Sequence, residues 1–264
     1  MTGVQTCALP ISDSGTPIVA FSQSLDFSNL WFSPDGQHLL TVYNGATTAA
    51  RSWRLLDVTL PSGTSTTGTI RSHVIPDLAS DNAFQTNGDR TKGHFPVDWS
   101  HPVFALGANG DVLVVGVSGQ YNGRSLPQNE IATANGKVGS VLAFNVATNT
   151  FQSLTEPTNE NLATHVTATN TQHPGFVFVS YWNESTRGSK YNGEIIAINL
   201  ANPFGVGGTI ELVHHRSNVA NHFYHGLTLP TVSPDGKKLI FSSTWGPRQS
   251  VVQSFVLDLN GLVP

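Results

Sequence analysis

The sequence predicts an all-β fold, a β-propeller of four-stranded antiparallel blades, on three observations. Four segments share a turn followed by a β-rich run, a second strand with a common ending follows each turn, and no stretch has convincing helical periodicity. Repeating units of about 55 to 75 residues with three or four short strands each are what propeller blades require. We therefore expect about four blades, either a complete small propeller or an N-terminally truncated larger one.

The turn is clearest in the first and last repeats, where residues 33–36 and 233–236 both read Ser-Pro-Asp-Gly. The proline presets φ at the first central position, the aspartate can bond its own backbone, and the glycine accepts positive φ without steric conflict. A tight β-hairpin is expected to follow each of these turns. The two middle repeats carry related turns near residues 106–110 and 172–175.

The second strand of each repeat ends in a similar way. The endings are Leu-Asp-Val, Phe-Asn-Val, Ile-Asn-Leu and Leu-Asp-Leu at residues 56–58, 144–146, 198–200 and 257–259. These landmarks predict blades at about 24–76, 99–156, 163–214 and 224–261, with 77–98 as an irregular connector. Trp31 and Trp99 are predicted to be core residues.

Residues 1–12 lack the charged region and the apolar stretch of a signal peptide, and they resemble translated sequencing adapter. We exclude them from the fold, and we expect residues 13–264 to form a single propeller domain. If the propeller is complete, the segment from Ile18 to Ser22 would supply its closing strand. Cys7, the only cysteine, lies in the excluded segment, so disulfide and thiolate chemistry are excluded from the rest.

The composition narrows the class of protein. Charged residues make up 11% of the chain, which argues against disorder, and the net charge is −4 without a basic stripe. We therefore expect no nucleic-acid partner. No apolar run approaches the ~20 residues of a membrane-spanning helix, so no membrane span is expected. Residues 13–264 are polar and lack cysteine, and residues 183–185 form a glycosylation acceptor, which favours an extracytoplasmic (periplasmic or secreted) protein. We expect this protein to be a monomer.

The Ser-Pro-Asp-Gly turn followed by Leu-Ile-Phe-Ser-Ser-Thr-Trp resembles the TolB-like propeller repeat, a relative of WD-repeat blades. Residues 94–258 also resemble bacterial secreted propellers and, loosely, the propeller-type polyuronate lyases. This resemblance rests on His165, the strands at 174–181 and 194–198, the run 212–217 and the segment that ends at Trp245 and Gly246. It implies a histidine site on the propeller. One departure is that Leu-Thr-Leu-Pro at 227–230 stands where the relatives often carry Glu-Pro-His, so one expected ligand is missing.

Alternating strand connections place a set of loops on one end of the blades, which we call the upper face. Seven of the ten histidines are predicted there: His94, His101, His165, His214, His215, His222 and His225. A lyase would use a neutral His or ionised Tyr to remove the proton next to a uronate carboxylate, with Arg or a metal stabilising the enolate. His165, His215, Tyr224 and Arg216 are the catalytic candidates on this hypothesis. A buried structural role for His165 is the alternative.

Imidazole nitrogens bind borderline metals such as zinc or manganese, and His214, His222 and His225 are the candidate ligands. Clustered loop histidines that are only hydrogen-bonded or solvated, with no metal, are the alternative. The candidate saccharide-binding residues are Trp182, Arg187, Tyr191, Trp245 and Arg248. Aromatic residues at strand ends can instead serve blade packing.

Three functions remain open from the sequence. The first is a propeller that binds a saccharide or anionic glycan on the upper face. The second is a metal-assisted polysaccharide lyase that uses the same His, Tyr and Arg residues. The third is a protein-interaction scaffold.

Overall fold

A computed structural model describes residues 27–44, 51–59, 68–74, 99–118, 141–155, 163–182, 190–217, 228–245 and 251–264. Every regular element within these ranges is a β-strand. None of them contains a helix that is long and apolar enough to cross a membrane. The chain divides into two compact units, residues 1–96 and 97–264.

The first unit contains one four-stranded antiparallel sheet with its strands in sequence order. Its strands are β1 (Phe27–Phe32), β2 (His38–Asn44), β3 (Arg51–Thr59) and β4 (Thr69–Ser72). Leu39 pairs with Leu56 and Leu40 with Leu55, and all four side chains are buried. Because neighbouring residues of a strand point to opposite faces, both faces of this sheet are apolar at that level.

The second unit contains three further antiparallel sheets, two with four strands and one with three. The second sheet holds β5 (Trp99–Leu106), β6 (Val112–Ser118), β7 (Val141–Asn145) and β8 (Thr150–Ser153). The third holds β9 (Ala163–Thr167), β10 (Phe176–Tyr181), β11 (Glu194–Asn199) and β12 (Thr209–His214). The fourth holds β13 (Thr231–Val232), β14 (Lys238–Ser243) and β15 (Gln253–Asp258).

Four repeated antiparallel sheets confirm the predicted all-β propeller with about four blades. The fourth sheet has three strands among the described residues. The proposed closing strand at 18–22 lies outside those residues, and the assignment of 13–264 to a single domain stays a prediction.

The Ser-Pro-Asp-Gly turn closes with the same bonds in the first and fourth blades. In the fourth, the Ser233 hydroxyl donates to Asp235 Oδ1 at 2.6 Å, and the amide of Lys237 donates to the same oxygen at 3.1 Å. Gly236 has φ +71°, and its counterpart Gly36 has φ +70°. The predicted chemistry of the turn is therefore what starts the hairpin in both blades.

The third blade is covered on both faces by its neighbours in the second unit. Val177 and Val179 belong to a core shared with the second blade, whereas Phe176 and Phe178 belong to a core shared with the fourth. The alternation follows from the two-residue period of a strand. Apolar cores therefore fix the third blade from both faces, and its strand ends carry several of the candidate site residues.

One core assignment is wrong. The Trp31 side chain is 40% exposed, and its ring lies against Trp53 with 5.2 Å between ring centroids. The side chain of Trp99 lies outside the described part of the chain.

Candidate functional site

The upper-face ends of the third and fourth blades bring together most of the described site candidates. Strand register sets His165 opposite Ser180 and His214 opposite Glu194. Trp182 directly follows β10, and His215 and Arg216 directly follow β12. Tyr191 lies shortly before β11, and Trp245 lies shortly after β14. Six candidates lie outside the described residues: Tyr224, Arg187, Arg248, His222, His225 and His94.

His215 is a core residue with both ring nitrogens occupied. Its side chain is 1% exposed, Nε2 donates to the carbonyl oxygen of Tyr181 at 2.7 Å, and Nδ1 accepts from the Ser217 amide at 3.0 Å. Burial lowers the pKa of His215 to about 4, although the Tyr181 carbonyl acts in the opposite direction. The imidazole is therefore neutral at pH 7, and it links the end of β10 to the segment that follows β12. This geometry does not fit the predicted catalytic role of His215.

The segment 215–217 is bonded to the fourth blade at several points. The Ser243 hydroxyl donates to the His215 carbonyl, and the Thr244 amide donates to the Ser217 hydroxyl at 3.3 Å. The Thr228 hydroxyl donates to the same Ser217 oxygen at 3.3 Å. Ser217, Ser243 and Thr244 are all buried. The backbone on both sides of Arg216 is thus held in place.

Arg216 points outward from this anchored segment. It is exposed, its φ is +53°, and its amide donates to His214 Nδ1 at 3.2 Å. The guanidinium carbon lies 5.4 Å from the centroid of the Trp245 ring, which is a cation–π distance. Trp245 is 41% exposed, and its ring stacks on Phe255 with 4.9 Å between centroids. A cation and an exposed indole therefore stand side by side.

His165 meets a second histidine across two blades. Its ring lies 4.2 Å from that of His101, centroid to centroid, since β9 and β5 run next to each other. Burial, followed by the effect of His101, lowers the pKa of His165 to about 3. Burial also lowers the pKa of His101, while a bond to the Thr164 backbone acts against this. His165 Nδ1 is buried and has no hydrogen-bond partner within the part of the chain that the structure describes.

Tyr191 does not fit its predicted sugar-stacking role. It is 7% exposed and belongs to the core shared by the second and third blades, where its ring lies 5.2 Å from that of Tyr181. Trp182, by contrast, is half-buried, and its carbonyl accepts the Gly193 amide at 2.8 Å. Of the three described aromatic candidates, Trp182 and Trp245 thus retain accessible surface.

The Tyr181 hydroxyl is buried and has no hydrogen-bond partner among the described residues, and burial raises the pKa of Tyr181 well above its ordinary value. An unsatisfied buried hydroxyl destabilises a fold by about 1–3 kcal/mol. We expect Tyr181→Phe to raise the free energy of unfolding by about 1 kcal/mol, measured by urea denaturation. A loss of stability in Tyr181→Phe would mean that the hydroxyl has a bonding role.

One of the three predicted metal ligands is described. His214 is exposed, lies across from Glu194, and uses Nδ1 to accept the Arg216 amide. Burial raises the pKa of Glu194, and His214 opposes this shift. Within the described ranges, the His, Cys, Asp and Glu side chains that come close enough to share a metal ion are His38, Asp57 and His73. The sequence analysis did not predict these residues as metal ligands, although His38 and Asp57 lie within the repeated segments.

An open cleft of about 340 Å³ lies at the turn-bearing end of the second blade. Asp111 is the charged residue of its lining, and its carboxylate already accepts the side-chain amides of Asn109 at 2.8 Å and Asn145 at 3.1 Å. No cation lines this cleft among the described residues, so it does not suit an anionic ligand.

No protein-family model matches the chain, and no curated protein matches it. Among solved structures, it is similar to the Dos1 propeller, with 15% identity and a TM-score of 0.45 over 94% of this chain and 49% of that one. It is also similar to a putative TolB from Agrobacterium tumefaciens, with 11% identity and a TM-score of 0.43 over 87% of this chain and 60% of that one. The chain thus spans about half of these propellers, and the similarity is one of fold.

Proposed function

We propose that this chain is an extracytoplasmic binding propeller that holds a saccharide or anionic glycan on its upper face, at Arg216, Trp245 and Trp182. The observation that carries the proposal is the contrast within three consecutive residues. His215 and Ser217 are 1% and 0% exposed, whereas Arg216 between them is exposed beside Trp245. The fold thus presents the Arg216 cation on a fixed backbone.

The residue types suit an anionic sugar. A guanidinium can bond both oxygens of a uronate carboxylate, and such charge-assisted pairs are stronger than neutral hydrogen bonds. Trp182 and Trp245 offer apolar ring surface against which a sugar ring can lie. Because the backbone around Arg216 is already bonded, less conformational freedom is lost on binding.

The same geometry favours binding over catalysis. A general base requires a free nitrogen and a pKa near the working pH. His215 has no free nitrogen, and the pKa of about 3 makes His165 a weak base. A lyase would then depend on Tyr224 as its base. Lyase activity is the second candidate function, because His165 Nδ1, which has no partner among the described residues, could accept a hydrogen bond from a substrate.

The test is isothermal titration of the full chain with oligogalacturonate and with a neutral galactose oligomer of the same length. We expect the anionic oligomer to bind more tightly, and Arg216→Ala to weaken its binding about tenfold to hundredfold, since a bond to a charged group contributes about 1.5–3 kcal/mol. Trp245→Ala should weaken the binding of both the anionic and the neutral oligomer. Arg71→Ala, which removes another exposed arginine, from the first blade, is the matched control and should bind as the parent does.

Three outcomes would contradict this proposal. If the ultraviolet absorbance of an unsaturated uronate increases during the titration, the protein is a lyase. If Arg216→Ala binds the anionic oligomer as tightly as the parent does, the ligand does not bind at Arg216. Binding of neither oligomer would leave the scaffold function as the better hypothesis.

A further inference from the structure

Two histidines and a carboxylate meet on the first blade, away from the residues discussed above. His38 begins β2, Asp57 lies near the end of β3, and His73 follows β4 directly. The Nδ1 atoms of His38 and His73 lie 2.9 and 2.8 Å from the same atom, Asp57 Oδ1. The ligating atoms of all three lie within 4.8 Å of one another.

The sheet register explains the meeting. His38 is the cross-strand partner of Asp57, whose partner on β4 is Arg71. His73, two residues beyond Arg71, is the diagonal neighbour of Asp57 and therefore lies on the same face. Backbone bonds hold the two histidines in this arrangement, since the amide of His38 donates to Ser33 Oγ at 2.9 Å and that of His73 to the Leu55 carbonyl at 3.1 Å.

We propose that His38, Asp57 and His73 form a binding site for a divalent transition-metal ion, with zinc the best fit. Two imidazoles and one carboxylate are a common borderline ligand set, with metal–ligand distances of about 2.0–2.2 Å. Tetrahedral ligands at that distance are about 3.3 Å apart, so the observed spacings of 2.8 and 2.9 Å require only a small outward movement of the rings.

The exposure of the three side chains fits an ion that enters from one side. His38 and His73 are 18% and 12% exposed, whereas the Asp57 side chain is 42% exposed. Three protein ligands leave a fourth position, which would face solvent on the Asp57 side and hold water. Such an open position is typical of zinc sites with three protein ligands.

The fourth blade provides an internal comparison. Lys238 and Asp258 occupy the same repeat positions as His38 and Asp57, and they form a simple ion pair at 2.7 Å. In the first blade, His38 stands at the position of the lysine, and His73 adds a second imidazole. Without metal, both Nδ1 atoms donate to one carboxylate oxygen. A metal ion would take the place of these two hydrogen bonds, and each neutral ring would then carry its proton on Nε2.

The experiment is titration of the untagged full chain with Co²⁺, followed by competition with Zn²⁺. We expect one Co²⁺ per chain with the visible absorption of tetrahedral cobalt, and the loss of that absorption when zinc is added. His73→Gln and Asp57→Asn should each weaken binding by about tenfold or more. His173→Gln, which alters an exposed histidine of the second unit, is the control and should bind as the parent does.

The proposal is overturned if the parent binds no cobalt or zinc at millimolar metal. It is equally overturned if folded His73→Gln and Asp57→Asn retain parental affinity, because the ion would then sit at other histidines. If either variant fails to fold, nitrogen NMR of the parent decides, since zinc should shift the Nδ1 signals of His38 and His73. Unchanged signals for those two nitrogens would reject the site.

Discussion

Replacing His215 by alanine is expected to lower the free energy of unfolding by about 3 kcal/mol or more, a large effect for a histidine at the end of a strand. The side chain is 1% exposed, and its loss would remove the hydrogen bonds that it makes with the Tyr181 carbonyl and the Ser217 amide. Each buried group left unpaired destabilises the fold by about 1–3 kcal/mol, and the cavity adds to this.

His214→Ala is the matched control for His215→Ala. The two histidines are adjacent, but His214 is exposed and makes one bond of 3.2 Å, from the Arg216 amide. Its removal should change the free energy of unfolding by less than about 1 kcal/mol. Urea denaturation of the parent and both variants measures the difference. Equal effects of the two substitutions would show that His215 is not the structural residue that its bonds indicate.

The parts of the fold that depend on local chemistry were predictable from the sequence. Ser-Pro-Asp-Gly specifies a turn through φ preferences and side-chain bonds within four residues, and both copies form it with φ +70° and +71° at the glycine. The strand Phe176–Tyr181 was predictable from its β-branched and aromatic residues. Its burial on both faces was not, because that depends on which sheets lie on either side of it.

The site was predicted less well, because the direction of a side chain beyond a strand end depends on tertiary contacts. His215 and Arg216 look alike as polar loop residues, yet one is buried by bonds to Tyr181 and Ser217 and the other points outward. The sequence predicts Tyr191 in an upper-face loop between the two middle strands of its blade, but its ring lies in the core.

The cluster of His38, Asp57 and His73 was missed for a different reason. The repeat alignment contained the positions of His38 and Asp57 but not the cross-strand register that pairs them. His73 carries no motif at all, and only the diagonal geometry of β3 and β4 brings it to Asp57. A register assigned from the turn would have found the first pair.

Acidification is expected to destabilise the protein over a window set by its buried histidines. The folded-state pKa values of His215 and His165 are lowered to about 4 and about 3 from 6.5, so the unfolded chain takes up protons first as the pH falls. The stability that these neutral rings contribute is fully present above pH 6.5 and is lost progressively as the pH falls towards the folded pKa values. For His215 the shift corresponds to about 3 kcal/mol, as an order of magnitude.

Other groups shape the same curve. The lowered pKa of His101 acts in the same direction, whereas the raised pKa of Glu194 contributes stability at low pH that is lost as the pH rises. Asp235 and Asp258 have lowered pKa values, so their contributions are lost only as the pH falls below their ordinary value of 3.8. The interval from pH 6.5 to about 4 is therefore governed mainly by the histidines.

Urea denaturation at a series of pH values measures this effect, and imidazole nitrogen NMR of the folded chain assigns it. We expect the free energy of unfolding to fall by about 3 kcal/mol or more between about pH 7 and pH 4, with the rings of His215 and His165 still neutral at about pH 5. A flat stability curve, together with rings that gain protons between about pH 6 and 7, would contradict the burial of both histidines. It would also return His215 to the group of residues available to a ligand, because a ring that is readily protonated in the folded state cannot be holding the Ser217 amide through Nδ1.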